Sequence, residues 1–588
     1  MSCQPFKNLT PSPRALKLSQ PSTFPWFDVN IPILFEKRIS SEKAQYVCDL
    51  TIPQHGFELI IKGGEVEIKA SDEHGIMYAH QLMSQLKTNS PQFAPNIEII
   101  DSPDFINRGI ILDVSRDKIP TMSTLFELID MWHLLRINQL QLYTEHTFAY
   151  KNHKTVWDKY SALTAKDIVT IEEYCAQRGI ELIANQATFG HMEKWLCHNE
   201  YEHLAEQTTG FIDQRGDKRE GSFGLNPTSQ ESVDFIESLF DELLPNFTSS
   251  TVNINFDETM DLGFGKSQSD CEIKGKGEVY LHYLIQIVDL AKQHGKTCQI
   301  FSDMLLQFPE IISKIPDEVQ LLNWGYEIDH PFDDELKQLA TYDRPFHVVV
   351  STNTFASVSG RLTAAKIHMR RAAKAAKKYG AIGYQISEWG DMGHPQTYSM
   401  PIPAYVFGSL MAWNQKVHEE INLSNLVQPF LPHEPVELID DLLEIQDEYL
   451  KSGVITPNCA FYGPFIFDQY SKRHIKRASI TDPLALKASI TDLIRRKQAI
   501  EQSKETPLQQ ELMWTIDIMV LASYLALYYE KFGSRETEIF PPEIKLELQN
   551  RLTEIESRYE RIWCLKHRKG GMEQSKSRLK ILRQQLTV

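Results

Sequence analysis

A chain of 588 residues is too long for one compact core and predicts about two to four domains. Its 42% hydrophobic and 10% aromatic content fits a folded globular protein and excludes a disordered one. A net charge of −17 argues against a nucleic-acid partner or an anionic membrane surface, since both repel it, and leaves a neutral or cationic small substrate open.

The eight cysteines (Cys3, Cys48, Cys175, Cys197, Cys271, Cys298, Cys459 and Cys564) are spread singly, with no C-x-x-C pair. Zinc and redox motifs of the usual spacing are therefore not expected, and scattered thiols suit a reducing compartment. The N-terminal MSCQPFKNLTPSPRALKLSQ lacks an apolar leader core, and no run of about 18 apolar residues occurs. The expectation is a soluble cytoplasmic protein with no membrane association.

Residues 1–104 read as a small α+β domain. Phe57–Ile61 and Val66–Ile68 are strand-like runs joined by a Gly63-Gly64 turn. His74–Leu86 follows with Ile76, Ala79, Leu82 and Leu86 at helical spacing, and Asp101-Ser102-Pro103 marks a boundary.

From residue 105 apolar runs alternate with amphipathic stretches. The runs are Arg108–Val114, Gln139–Tyr143, Ile180–Ala184, Val252–Phe256, Thr297–Phe301, Val319–Leu322, His347–Val350 and Ile382–Ile386. Between them, Thr121–Arg136 and Gly277–His294 carry one apolar face each, the second closed by Gly295. Eight strand–helix units over residues 105–416 predict an α/β fold, a (β/α)8 TIM barrel. The absence of a G-x-G-x-x-G after the first strand disfavours a dinucleotide fold.

Residues 417–588 read as a helical C-terminal domain, with helices over Val436–Leu450, Leu484–Ser503, Gln509–Phe532 and Glu543–Trp563. The basic, polar Leu565–Val588 reads as a solvated helix surface rather than an anion contact. The helices would brace the barrel or form a homodimer.

In such a barrel the chemistry sits at strand C-termini. The fourth run, TVNINFDETMDLGFGKS, delivers the adjacent acids Asp257 and Glu258. Neighbours in a strand point to opposite faces, so both reach one site only if the chain turns here, and Gly263 and Gly265 supply freedom for that turn. Elsewhere the strand ends bring Glu145, His191, Trp324-Gly325-Tyr326 and Trp389-Gly390-Asp391, while Arg108 opens the first strand and Arg116 closes it. Acids, a cation and aromatic platforms suit a sugar, whose apolar faces lie on rings and whose hydroxyls bond charged groups. The absence of a clustered His/Asp ligand set argues against a metal hydrolase; neither a metal nor a cofactor is expected. By chance alone roughly ten acid–acid neighbours occur in a chain of this composition, so the position of the pair carries the weight.

FINRGIILDVSR, NFDE and NIEIIDSPDF resemble glycoside hydrolase family 20, the β-N-acetylhexosaminidases. The similarity spans about residues 50–415 and includes the small α+β domain. NFDETMDLGFGKS, LYTEHTFAY and ISEWGD are most similar to a non-secreted branch of that family.

The resemblance implies retention assisted by the substrate, with the 2-acetamido oxygen attacking the anomeric carbon. Asp257 would steady the acetamido N–H and Glu258 would act as acid and then base. Arg108 matches the arginine that binds sugar hydroxyls, the competing role being a barrel-bottom salt bridge. His191 and Glu145 match a His–acid pair that tunes the acid, against an ordinary structural histidine. Trp324 and Trp389 would wall the sugar subsite unless they are core residues, Asp391 would accept from a hydroxyl, and Tyr326 would bond the acetamido oxygen. The sequence departs from the family where His-x-Gly-Gly usually precedes the acid pair, since Asn253, Ile254, Asn255 and Phe256 stand there. The strand-three acidic pair is replaced near Asn185 and Ala187, and Ser351-Thr352-Asn353-Thr354 replaces a tyrosine after strand seven. The expected activity is exo-hydrolysis of a terminal β-linked GlcNAc or GalNAc from an amino-sugar glycoside. The alternatives are a sugar-binding barrel without turnover and a glycosidase using two independent carboxylates.

Overall fold

The computed structural model describes residues 9–587 apart from 12, 19–37, 42–43, 91, 93, 214–215, 217, 417–420, 453–460, 462–481 and 535. The N-terminal layer is a sheet of β1 (Ala15–Leu18), β2 (Arg38–Ser41), β3 (Ala44–Cys48), β4 (Phe57–Lys62), β5 (Glu65–Ala70) and β6 (Ile97–Asp101), ordered β1-β6-β4-β5-β3-β2. Phe57, Leu59 and Ile61 on β4 and Val66, Ile68 and Ala70 on β5 alternate inward. Against that face packs the helix Glu73–Asn89, whose N-cap Asp72 accepts the Gly75 N–H at 2.9 Å. Burial of its Leu82 and Leu86 contributes about 2 kcal/mol each. Trp413, from the last barrel helix Ile402–Asn414, completes this core and ties it to the barrel.

The barrel strands are β7 (Asn107–Asp113), β8 (Gln139–Tyr143), β9 (Glu181–Asn185), β12 (Thr251–Asn253), β13 (Thr297–Phe301), β14 (Gln320–Trp324), β15 (Phe346–Ser351) and β16 (Gly383–Glu388). A short hairpin, β10 (Phe211–Ile212) and β11 (Lys218–Arg219), lies in the excursion after β9. All eight pair in parallel, and β16 closes on β7 from Gly383↔Asn107 to Glu388↔Leu112. The expected barrel is therefore present.

Its strands are not uniformly apolar. Leu140 and Leu142 join the apolar core, whereas Gln139 and Gln141 from the same strand enter an amide network. Gln141 Nε2 donates to Gln299 Oε1 at 2.8 Å, joining β8 to β13 although β9 and β12 lie between them. Asn185 and Asn253 both donate to Gln141 Oε1, at 3.0 and 2.8 Å. At the next level Gln385 Nε2 donates to Gln139 Oε1 at 3.0 Å, over Gly109 of the intervening strand. A Cβ on Gly109 would lie 1.6 Å from Gln385 Oε1, so this crossing requires glycine. Buried amides that bond one another across the barrel fix a single register, where branched aliphatics would only fill volume.

The helices Val436–Ile445, Pro483–Glu501, Pro507–Phe532 and Pro542–Lys566 share one continuous apolar core with the barrel. Pro507–Phe532 is long and apolar enough to cross a membrane, but Leu512, Trp514, Ile518, Leu521 and Leu525 are buried in that core. The C-terminal segment departs from the solvated surface expected of it. The Arg568 N–H donates to Ile119 O at 2.8 Å, its Nη1 reaches Ser161 O and Ala162 O, and its Nη2 pairs with Asp167 at 3.1 Å. Ser575 Oγ donates to Gly393 O. These bonds reach segments that follow β7, β8 and β16, so the terminus braces the rim of the barrel mouth.

Candidate active site

The acid pair stands on a turn rather than on a strand. β12 ends at Asn253, and Asn255, Phe256 and Glu258 have φ of 63°, 66° and 47°. Left-handed residues that are not glycine cost about 1–2 kcal/mol each and persist only where the surroundings hold them. Here the Asn255 N–H donates to Asn253 Oδ1, its Nδ2 to Asn185 Oδ1, and Tyr280 from the helix Lys276–Gln293 donates its hydroxyl to Phe256 O at 3.0 Å. The Glu258 N–H donates to Asp303 Oδ2 at 3.0 Å. The coil replaces strand alternation, and the two neighbouring carboxylates face one imidazole: His191 Nε2 is 3.4 Å from Asp257 Oδ2 and 3.7 Å from Glu258 Oε2. The turn therefore precedes Gly263 and Gly265, where the sequence suggested it.

His191 reaches the acids because Gly190 lets the chains touch; a Cβ there would lie 2.8 Å from Asp257 O. Burial disfavours the imidazolium, but the Asp257 carboxylate outweighs it and pushes His191 up to about 10. The site thus holds a cation between two acids.

Arg116 forms the other side. It follows β7, and its guanidinium bridges Asp113 Oδ2 at 3.2 Å and Glu145 Oε1 at 3.0 Å. It lies over the rings of Tyr143 and Trp389, at 4.5 and 5.7 Å. Asp113 also accepts the Ser115, Arg116 and Gly390 N–H groups, which locks the loops after β7 and β16 together. Glu145 accepts from Tyr143 Oη at 3.2 Å, and burial pushes its carboxyl up to about 7 against the opposing pull of Arg116. Asp391 feels Arg116, Asp113 and Glu258, and burial holds its carboxyl above the ordinary range.

The aromatic wall is continuous. Trp389 Nε1 donates to Tyr326 Oη at 2.9 Å, Tyr326 stacks on Trp324 at 5.1 Å, and Tyr143 meets Trp389 edge-on at 4.9 Å. Trp324 and Tyr326 are half-buried, which leaves ring surface for a ligand. Behind Trp324, Asp303 lies 3.4 Å from its Nε1 and is pushed up to about 7, first by burial and then by the Asp257 and Glu258 charges.

Asp257, Glu258, His191, Glu145, Trp324, Tyr326, Trp389 and Asp391 therefore all lie on strand C-terminal ends or the loops that leave them. Arg108 does not. It opens β7 at the opposite end and is 1% exposed, donating to Arg136 O, Phe105 O, Ile106 O and Tyr78 Oη. It seals the barrel floor against the N-terminal layer, so the arginine at the mouth is Arg116. The His191–Glu145 pairing is also revised: His191 contacts the two acids, and Glu145 belongs to Arg116. Asp303 and Arg116 were missed as site residues, although both directly follow a barrel strand, the one signal that finds them.

Residues 105–370 match the family described as glycosyl hydrolase family 20, catalytic domain. Beta-hexosaminidase subunit beta of Felis catus is 27% identical over 307 residues, covering 46% of this chain and 54% of that protein. Hexosaminidase D of Homo sapiens is 25% identical over 236 residues, covering 38% and 46%. The chain spans about half the length of the curated relatives it matches. Among solved structures, the Flavobacterium johnsoniae chitobiase superposes with a TM-score of 0.60 at 16% identity over 100% of both chains. The family 20 exo-β-N-acetylglucosaminidase of Vibrio harveyi gives 0.57 at 17% identity, over 75% of this chain and 78% of that one. Both likenesses are of fold. The likeness to glycosyl hydrolase family 20 is thus carried by residues 105–370.

Proposed function

We propose that this protein is a retaining exo-β-N-acetylhexosaminidase that removes terminal β-linked GlcNAc or GalNAc by substrate-assisted catalysis. The observation that carries the reading is the convergence of Asp257 and Glu258 on His191, at 3.4 and 3.7 Å, beside an arginine and an aromatic wall. The relatives' printed names support the same activity.

In the first step the acetamido oxygen forms a bond to C1 while the C1–O glycosidic bond breaks. Glu258 gives its proton to the departing oxygen, and Asp257 accepts the acetamido N–H as the oxazolinium charge grows. In the second step water adds to C1, Glu258 takes its proton, and the five-membered ring reopens to the free sugar with the β configuration kept. His191⁺ balances the charge of the pair. The fork of Arg116 suits vicinal hydroxyls, and Trp324, Tyr326 and Trp389 cover the apolar face of the ring. A cytoplasmic location belongs to the same proposal and is supported by the free, buried thiols of Cys175 and Cys298.

The test is hydrolysis of 4-nitrophenyl β-GlcNAc and β-GalNAc by the wild type and by Glu258→Gln. Turnover that falls about 10³-fold or more in the variant supports the proposal. No turnover by the wild type, with sugar binding retained, establishes the non-catalytic barrel instead.

A further inference from the structure

Away from the barrel mouth, three ligand-type side chains meet where the N-terminal layer docks on the barrel. His55 lies in the loop before β4, Asp72 caps the helix Glu73–Asn89, and His74 stands on its first turn. One donor atom from each lies within 4.8 Å of the others. The His55 and His74 rings are 4.5 Å apart, centre to centre.

Each residue is prepared as a ligand. His55 is 7% exposed, and its Nδ1 is buried without a hydrogen-bond partner, an open position that folding normally fills. His74 Nε2 sits 3.1 Å from the Gly179 carbonyl oxygen. A carbonyl only accepts, so that nitrogen carries the proton and Nδ1 keeps the lone pair. An imidazole whose far N–H is held by a carbonyl is the usual outer arrangement of a metal-bound histidine. Asp72 is oriented through both oxygens: Oδ1 accepts from Gly75 N, and Oδ2 accepts from His55 N at 2.6 Å and Ser71 Oγ at 3.2 Å.

We propose that His55, Asp72 and His74 form a binding site for one divalent transition cation of the zinc class, clamping the N-terminal layer to the barrel. Two imidazole nitrogens and one carboxylate, with a remaining position for water, suit Zn2+ rather than Ca2+ or Mg2+, which take oxygen sets. Gly179, at the turn before β9, connects the site to the barrel through His74. The buried guanidinium of Arg108 opposes a dication, so affinity rests on the Asp72 charge that offsets it. The set is hard to see in the sequence, because His55 is 17 residues from Asp72 and in a different element.

The experiment uses the full-length protein, stripped with chelator and titrated with Co2+ followed by visible absorption, and with Zn2+ followed by calorimetry. One equivalent per chain is expected, with the visible bands of a low-coordinate nitrogen–oxygen site. Asp72→Asn keeps a helix cap and should weaken binding at least ~100-fold, more than loss of an outer partner costs. His55→Ala with His74→Ala should abolish it. Absence of stoichiometric binding by the wild type overturns the proposal, as does binding that Asp72→Asn leaves unchanged. If the double variant does not fold, Asp72→Asn alone decides.

Discussion

Replacing Arg108 with methionine tests whether it belongs to the barrel floor, as its hydrogen bonds place it, or to the sugar site. Its guanidinium donates from Nε to Arg136 O at 2.8 Å, from Nη1 to Phe105 O and Ile106 O at 2.8 and 2.9 Å, and from Nη2 to Tyr78 Oη at 2.7 Å. It also lies 5.4 and 5.1 Å from the Tyr78 and Trp413 ring centres. Charge-assisted bonds contribute about 1.5–3 kcal/mol each, so four of them set an upper bound of roughly 6–12 kcal/mol. Methionine removes the desolvation cost of the charge, several kcal/mol, and refills part of the volume. The acceptors left dry then bring the net loss to about 3–5 kcal/mol, on the order of a thousandfold in the ratio of folded to unfolded protein. The assay pairs urea unfolding, read by tryptophan fluorescence, with kinetics on 4-nitrophenyl β-GlcNAc well below the unfolding midpoint. The expected result is a lower midpoint with KM within about twofold of wild type. An unchanged midpoint with KM raised about tenfold or more would refute the reasoning and return Arg108 to the sugar site.

Arg116→Lys keeps the charge at the mouth but loses the fork between Asp113 and Glu145. Steady-state kinetics should show kcat/KM lower by about 10²-fold, because a misplaced clamp forfeits orientation. His191 holds its proton to about pH 10 in the folded state, against an ordinary value of 6.5, so its stabilisation is full below 6.5 and is lost as pH rises through 10. Urea midpoints across that window should therefore show the wild type's advantage over His191→Gln shrinking towards pH 10; a gap that grows with pH contradicts the assignment. Gly109→Ala drives a methyl into Gln385 Oε1 and breaks its crossing to Gln139. The cost should be about 2–4 kcal/mol by denaturant titration, overpacking plus a lost buried bond.

The barrel was legible because apolar runs and one-sided helices follow separate periods, and each of the eight runs corresponds to an observed strand. The barrel interior was less so. Gln139 and Gln141 alternate with leucines as solvent-facing residues would, and only closure of the sheet turns them inward. β12 is shorter than its pattern predicts, because Val252, Ile254 and Phe256 keep a period of two past the residue where the backbone coils. Asn255 alone hints at that left-handed turn, since Phe256 and Glu258 adopt it against their own preference. Arg108, which the resemblance implies as the sugar-binding arginine, stands at the wrong end of β7 for that role. Arg108 and Arg116 flank that strand, and its direction puts the first at the floor and the second at the mouth. The same rule applied to β13 points to Asp303. The partners of His191 were out of reach, because they depend on the turn that swings Asp257 and Glu258 to one side.

The most direct test of substrate assistance is kcat/KM for aryl β-glycosides whose 2-acetamido group carries zero, one, two or three fluorines. Fluorine withdraws electrons from the carbonyl oxygen without altering Asp257, Glu258 or the leaving group. If that oxygen is the nucleophile, the rate falls steeply with each fluorine, over several decades across the series. A flat series would contradict the account, because the attacking atom would then belong to the protein or to water.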